Sequence, residues 1–351
     1  MVFLQKHEKQ WRQFDTQLAT TSTMKLVIDD NNKWSYAKSP KGMNPILKDC
    51  LIKYLNLLSV IFENAKKTSE FEFIFTLLRV RGMEGPGWDP YETTEEVFEL
   101  VSKVIDKAKN YKTQRHLALW LYGHIVEASE FYEILASLLK ICNGGRFTTN
   151  NFPDKKIPVS PSEKIDKIYA LAEKVNLQEN VTPLKDVFER ELRNAIFHSD
   201  YCLFNGDLRL TKQKKTLKND QFIEIVDKGF AYFTAMSTLI RFYISSYKEP
   251  KVIKVHPSLS SDPNETAITI IREGYGLVGI KDHHRLKSGD EYVSYRLGKF
   301  YKGESELLDK NPTLAKLPIN KQEKANRILK YFPLTIRRYL INYLKNRIRY
   351  E

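Results

Sequence analysis

The stretch TPLKDVFERELRNAIFHSDYCLFNGDLRL, residues 182–210, contains the two local signals that decide the fold. Its first part begins with Thr182 and Pro183, a pair typical of a helix start, and continues with apolar residues at helical spacing. Its last part places Asn205 and Gly206 between two short apolar runs, which is the strongest short-range signal for a β-hairpin. The sequence therefore predicts a helix over 182–198 and a hairpin directly after it.

Helical patterns flank this stretch on both sides. The segment that begins at Pro45 has an apolar stripe at helical spacing, made of Ile46, Leu47, Cys50, Leu51, Tyr54, Leu58 and Ile61. Residues 70–80 fit a strand by alternation and a helix by continuation, and we favour the helix. Further helices are predicted over 93–110, 115–142, 160–176 and 220–247.

The chain divides into three regions by its pattern. Residues 1–43 predict an irregular arm or a small hairpin, and residues 44–248 predict a helical domain. A Lys-Glu-Pro boundary at 248–250 leads into a basic region, 251–351, with two strand-like segments and then basic helices. The predicted fold class is mostly α, a helical bundle with an embedded β-hairpin, plus a small C-terminal α/β unit.

The positive charge is concentrated near the C-terminus. The chain of 351 residues has a formal net charge of +13, and residues 251–351 hold 20 Lys and Arg against 11 Asp and Glu. The segment 334–351 predicts an amphipathic helix in which tyrosines alternate with cations, a pattern suited to RNA. Its candidate RNA-binding residues are Arg337, Arg338, Lys345, Arg347 and Arg349. The alternatives are a solvated helix packed on its own domain and, third, a membrane-surface helix.

Several function classes are excluded by what the sequence lacks. Cys50, Cys142 and Cys202 are far apart and odd in number, which argues against disulfides and favours the cytoplasm. We expect neither a signal peptide nor a membrane span. HxxxH, HExxH, a phosphate-binding glycine loop and GxSxG are all absent, which argues against a metalloenzyme, an NTPase and a serine hydrolase. We therefore expect no metal and no cofactor.

Arg193, Asn194 and His198 form the one candidate catalytic group. On a continuous helix, His198 falls within the apolar arc, and Asn194 lies one turn earlier on almost the same row. Arg193 points about 140° away from His198, with Glu189 one turn before it. A purely structural interpretation is therefore open, in which His198 is a buried residue near the helix end and Arg193 pairs with Glu189.

The segment RELRNAIFHSDY, followed by a hairpin and a long helix, resembles the HEPN superfamily of α-helical ribonucleases, whose hallmark is R-x4-H near the end of a core helix. The match covers Arg193, Asn194 and His198 within residues 160–247. The family's toxin branch often has a modified Tyr two residues after the His, whereas Tyr201 is three residues after it here. The resemblance implies a helical bundle and a site shared between two protomers.

The chemistry that the resemblance implies needs no metal. RNA carries its own nucleophile, the 2′-OH, so cleavage requires a group to move protons and a cation to stabilise the phosphorane. His198 would be the general acid or base, Arg193 would bind the phosphate, and Asn194 would orient one of them. We expect RNA, a second copy of the chain and a neutralising or regulatory protein as partners, and no membrane.

Two other hypotheses remain open. One is a non-catalytic HEPN-like module that binds RNA or a protein. The other is an unrelated helical scaffold in which Arg193 and His198 are structural.

Overall fold

The computed structural model is mostly α-helical, with small antiparallel sheets, which confirms the coarse fold class predicted from the sequence. The residues it describes are 25–29, 33–38, 43–79, 90–148, 150–153, 159–256, 265–282, 294–296 and 299–301. Among the described helices, none has a stretch long and apolar enough to cross a membrane.

The helices follow one another in chain order. They are α1 (Pro45–Thr68), α2 (Glu70–Arg79), α3 (Pro90–Lys107), α4 (Tyr111–Glu127), α5 (Ser129–Cys142), α6 (Pro161–Glu173), α7 (Thr182–Val187), α8 (Arg190–Phe197) and α9 (Asn219–Ser246). A 3-10 turn, Glu179–Val181, precedes α7. The segment at 70–80 fits either strand or helix by its pattern, and its described residues, 70–79, form the predicted helix.

The strands form separate small antiparallel sheets. They are β1 (Lys25–Ile28), β2 (Trp34–Lys38), β3 (Tyr201–Phe204), β4 (Asp207–Leu210), β5 (Lys215–Leu217), β6 (Val252–Lys254), β7 (Thr266–Arg272), β8 (Gly276–Asp282), β9 (Ser294–Arg296) and β10 (Lys299–Tyr301). The sheets are β1–β2, β3–β4–β5, β6–β7–β8 and β9–β10.

The core is built on the packing of α1 against α9. Two residues of the stripe predicted on α1, Tyr54 and Leu58, are fully buried. The ring of Phe62 stacks on Tyr243 of α9 with centroids 5.2 Å apart, and Phe73 of α2 meets the same Tyr243 ring edge-on at 5.3 Å. Stacked and edge-on aromatic pairs each stabilise a core beyond the area that they bury.

The N-terminal region contains the small hairpin that the sequence allowed as one of two outcomes. Trp34 of β2 donates its backbone N–H to Asn56 Oδ1 at 2.7 Å, and its ring lies 5.1 Å from Phe242. These contacts attach β1–β2 to the helices.

The hairpin predicted at Asn205-Gly206 is confirmed. Both residues have positive φ, 47° and 86°, which is the type I′ geometry that asparagine and glycine favour. Strand β5 adds a third strand to it, and Leu208 and Leu210 of β4 are buried against the helices.

The sheet β6–β7–β8 packs against the end of α9. At Gly276, φ is +100° and a Cβ atom would lie 2.1 Å from the carbonyl oxygen of Ile244. Only glycine fits there, because any other side chain would occupy the space of the α9 backbone.

The single helix predicted over 115–142 is wrong, because the structure breaks it at Ala128. Ala128 has ψ 95°, outside the helical region. Tyr132 donates its hydroxyl to the Val126 carbonyl at 2.7 Å and so satisfies an oxygen that the break releases. Glu127 becomes the last residue of α4, which places it beside α8.

Candidate functional site

The candidate site begins with a second break, between α7 and α8. Phe188 and Glu189 are extended, with ψ 100° and 97°. The buried hydroxyl of Tyr122 donates to the Val187 carbonyl at 2.8 Å and accepts the Glu189 N–H at 3.0 Å. The continuous helix predicted over 182–198 is therefore wrong, since Tyr122 satisfies the backbone groups that the break exposes.

The break changes the surroundings of His198. Helix α8 ends at Phe197, and His198 is its C-cap, with φ −95° and ψ 1°. The next residue, Ser199, has φ 57°, and the N–H of Asp200 donates to the Ala195 carbonyl at 2.9 Å. This hydrogen bond belongs to a Schellman C-cap. His198 is exposed, so the expectation that it lies within the apolar arc is wrong.

Arg193 is held on two sides. Its Nε donates to Glu127 Oε1 at the end of α4, and its Nη1 donates to Asn194 Oδ1 at 2.9 Å. Its guanidinium carbon lies 5.3 Å from the centroid of the Phe197 ring. The side chains of Arg193 and Glu127 are 27% and 32% exposed. The salt bridge with Glu189 that helical spacing suggested is replaced by one with Glu127.

The structure brings together two of the three predicted catalytic residues. Arg193 and Asn194 share a hydrogen bond, whereas the imidazole of His198 has no hydrogen bond to either of them. Arg193 Nη2 has no hydrogen-bond partner among the described residues, so it is a donor available to an oxyanion.

Helix α8 approaches α4 closely at Gly123. A Cβ atom there would lie 3.2 Å from Ile196 Cγ2 and 3.4 Å from the Phe197 ring. The Phe197 side chain is 51% exposed, and Trp120, one turn before Gly123 on α4, is 65% exposed. An apolar, partly aromatic surface therefore adjoins Arg193.

Glu127 and His116 belong to this surface but were not predicted from the sequence. They are eleven positions apart on α4, which places both on one face of the helix. His116 Nδ1 lies 3.1 Å from the Tyr201 hydroxyl, so Tyr201 contacts His116 of α4. A carboxylate within an otherwise apolar helix end was the one signal in the sequence that could have indicated Glu127.

Burial shifts the titration of groups around Arg193. It raises the pKa of Tyr132 far above its usual range, with the Glu127 charge adding to the shift and Arg193 opposing it. Burial also lowers the pKa of His124 on α4, whose Nε2 has no hydrogen-bond partner among the described residues. His124 is therefore neutral at pH 7, and Arg193 is the cation next to Glu127.

No metal centre was predicted, and the described part of the chain contains no group of three or more His, Cys, Asp or Glu side chains that could hold an ion. The predicted RNA-binding residues Arg337, Arg338, Lys345, Arg347 and Arg349 lie outside the described residues. Cys50, Cys142 and Cys202 are free.

No protein-family model, no curated protein and no solved structure matches the chain.

Proposed function

We propose that the protein is a metal-independent endoribonuclease of the HEPN type, acting in the cytoplasm as a toxin or phage-defence effector. The observation that supports this most is the state of Arg193. Glu127 and Asn194 fix two of its nitrogens, while Nη2 has no partner among the described residues. A positioned guanidinium with a spare donor suits a phosphate whose charge grows during cleavage.

The proposed reaction uses the 2′-oxygen of RNA as the nucleophile. That oxygen attacks the adjacent phosphorus as its proton is removed, and the bond from phosphorus to the 5′-oxygen breaks. The products are a 2′,3′-cyclic phosphate and a 5′-hydroxyl, so no water and no metal enter this step. Arg193 donates to a non-bridging oxygen, and Asn194 holds the guanidinium in place. His198, exposed at the C-cap of the same helix, moves a proton.

The proposal includes a homodimer. Cleavage requires one group that removes the proton of the 2′-hydroxyl and another that delivers a proton to the 5′-oxygen. Each protomer contributes a single exposed His198 to this site. A second copy brings a second His198 to the same phosphate. The exposed rings of Trp120 and Phe197 supply apolar area next to Arg193 on which two copies can pack.

The alternative is a non-catalytic module that binds RNA or a protein. The contact between Arg193 and Glu127 favours it, because the carboxylate offsets the charge that would stabilise a phosphorane. The lack of a hydrogen bond from His198 to Arg193 or Asn194 points the same way.

Cleavage of RNA in the presence of EDTA separates the two functions. For His198→Ala we expect a loss of about 10²–10⁴-fold in rate, the usual contribution of a general acid or base. Far-UV circular dichroism and the thermal midpoint should stay at wild-type values, because the His198 side chain is exposed. Full activity in His198→Ala, or no cleavage of diverse RNAs by the wild type, would contradict the proposal.

A further inference from the structure

The sheet β3–β4–β5 has one buried face and one exposed face. Leu208 and Leu210 of β4 lie on the buried face, against the helices. Cys202, Phe204 and Arg209 are exposed, and Cys202 is the cross-strand partner of Arg209. Phe204 follows Cys202 by two positions, so the three side chains share the outer face of the sheet. This face therefore presents an aromatic ring and a cation to solvent.

Phe204 and Arg209 contact each other on this outer face. The guanidinium carbon of Arg209 lies 4.4 Å from the centroid of the Phe204 ring, and Phe204 is 50% exposed. Among the described residues no carboxylate forms a salt bridge with Arg209, since Asp207 of the same strand pairs with Lys218 at 2.8 Å. An aromatic ring and a planar cation that are both open to solvent provide a flat surface on which a nucleobase can stack.

The connection between β4 and β5 adds positive charge to the same sheet. Lys212 and Lys214 are exposed there, and neither has a salt-bridge partner in the part of the chain that the structure describes. Lys215, by contrast, pairs with Glu191 at 2.7 Å. Residues 198–218 hold five Lys and Arg against two Asp. This excess of positive charge complements a phosphate backbone.

Hydrogen bonds place this connection beside the C-cap of α8. Thr211 donates both its backbone N–H and its hydroxyl to the carbonyl of Asp200, each at 2.9 Å. Asp200 is two positions after His198, the C-cap residue. From Asp200, β3 leads to Phe204, about 13 Å away at the usual rise of a strand. The outer face of the sheet therefore extends from the segment that follows His198 to the hairpin turn.

We propose that the hairpin surface, formed by Phe204, Arg209, Lys212 and Lys214, binds single-stranded RNA. The two lysines contact phosphates, and a base stacks on the pair of Phe204 and Arg209. A single strand fits better than a duplex, because the bases of a duplex are stacked on one another and cannot reach a protein ring. A phosphate group alone accounts for the cations but not for the exposed ring beside them.

The inference rests on the proposed function, since it takes RNA as the ligand, and it adds where the substrate is held. A strand bound to the hairpin surface lies beside His198 and can continue towards Arg193 on α8. The hairpin surface thus supplies affinity, while the residues of α8 supply the chemistry. It is separate from the segment 334–351, for which the sequence predicts RNA binding.

Fluorescence anisotropy with a labelled 2′-O-methyl RNA oligonucleotide tests the proposal on the full chain, because this strand lacks the free 2′-hydroxyl and stays intact during the titration. The double variant Lys212→Ala/Lys214→Ala should bind more weakly. The slope of log affinity against log salt should become less steep by about 1.4, since each phosphate contact on a single strand contributes about 0.7. Phe204→Ala should weaken binding by about 10-fold without changing the slope, because stacking releases no counterions.

Lys174→Ala/Lys248→Ala is the matched control, since it removes two positive charges at exposed positions outside the hairpin. We expect it to bind the oligonucleotide as the wild type does. All the substituted side chains are exposed, so the thermal midpoints of the variants should stay near that of the wild type.

Wild-type affinity in both hairpin variants would overturn the proposal. An equal loss in the control variant would also overturn it, because net charge and not the hairpin surface would then govern binding. So would a loss confined to the lysine variant, which would indicate an anion site without base stacking. Binding through the hairpin surface without cleavage of unmodified RNA would contradict only the nuclease function. Cleavage by a protein whose hairpin variants keep wild-type affinity would contradict only the hairpin surface.

Discussion

Arg115 lies near the start of helix α4, Arg193 contacts Glu127 at its end, and the two side chains have different surroundings. Arg193 is 27% exposed and pairs with the carboxylate of Glu127. Arg115 is 5% exposed and lies against two aromatic rings, with no described carboxylate beside it. One cation is compensated at the surface, whereas the other is buried without compensation.

The difference shows what each arginine is suited to. A paired, partly exposed guanidinium costs little to maintain and is held ready for a charge that appears only briefly. A buried guanidinium must be stabilised by its surroundings, and the Gly206 carbonyl and the rings of Tyr111 and Phe222 stabilise that of Arg115. We therefore propose transient phosphate contact for Arg193 and a structural role for Arg115, which joins the start of α4 to the hairpin turn.

Within this comparison, we expect the largest difference in RNA cleavage between substitutions of Arg193 and of its neighbour Arg190, an exposed residue at the start of the same helix. Arg193→Ala should lower the rate of RNA cleavage by about 10²–10³-fold, because it removes a donor that acts on the charged transition state. Arg190→Ala is the matched control and should cleave within about twofold of the wild type. Equal losses in the two variants would show that general positive charge, and not the position of Arg193, governs the reaction.

Gly123→Ala should disturb the packing at the end of α4 that contacts Arg193 and leave the packing around Arg115, at the start of α4, unchanged. The added methyl group lies 3.2 Å from Ile196 Cγ2, so α8 has to move by a few tenths of an ångström. We expect cleavage to fall by about 10-fold, since small displacements of catalytic groups are costly. The thermal midpoint should change little, because alanine adds about 1 kcal/mol of helix propensity that offsets the crowding.

Thr113→Ala, at an exposed position near the start of α4, is the matched control and should cleave RNA as the wild type does. An equal loss of cleavage in Thr113→Ala would mean that the two ends of α4 do not act separately.

The smallest effect concerns Asp227, a residue of α9 on the side that faces the start of α4. Burial raises the pKa of Asp227 from 3.8 to about 6, so the folded protein binds a proton more tightly than the unfolded chain does. Its contribution to stability is therefore present below pH 4 and is lost as the pH rises through about 6. Because the side chain is partly exposed, we expect this loss to be at most about 1 kcal/mol.

Urea unfolding of wild type and Asp227→Asn at pH 4.5 and pH 7.5 measures this contribution. The variant should gain stability relative to the wild type at the higher pH only. Asp166→Asn, at an exposed position of α6, should follow the wild type at both values. The same difference at both pH values would show that Asp227 does not titrate in this range.

The features that the sequence predicted correctly are local ones. The turn at Asn205-Gly206 needs only two adjacent residues that tolerate positive φ, and the stripe on α1 needs only helical spacing. Both could be predicted without knowledge of the rest of the chain.

The features that the sequence missed depend on distant residues. At the break before α8, the Val187 carbonyl accepts a hydrogen bond from the Tyr122 hydroxyl, 65 positions away. The partner of Arg193 is Glu127, 66 positions away. Helical spacing alone selected Glu189 as that partner and placed His198 in the apolar arc. Both expectations failed because they assumed one continuous helix.

The mechanism is tested most directly by the role of the 2′-hydroxyl. An RNA oligonucleotide and its 2′-deoxy counterpart, incubated with the protein in EDTA, differ only in the proposed nucleophile. We predict that the RNA is cut to a 2′,3′-cyclic phosphate and a 5′-hydroxyl and that the deoxy strand stays intact. Cleavage of the deoxy strand, or RNA products that end in a 5′-phosphate, would contradict the account.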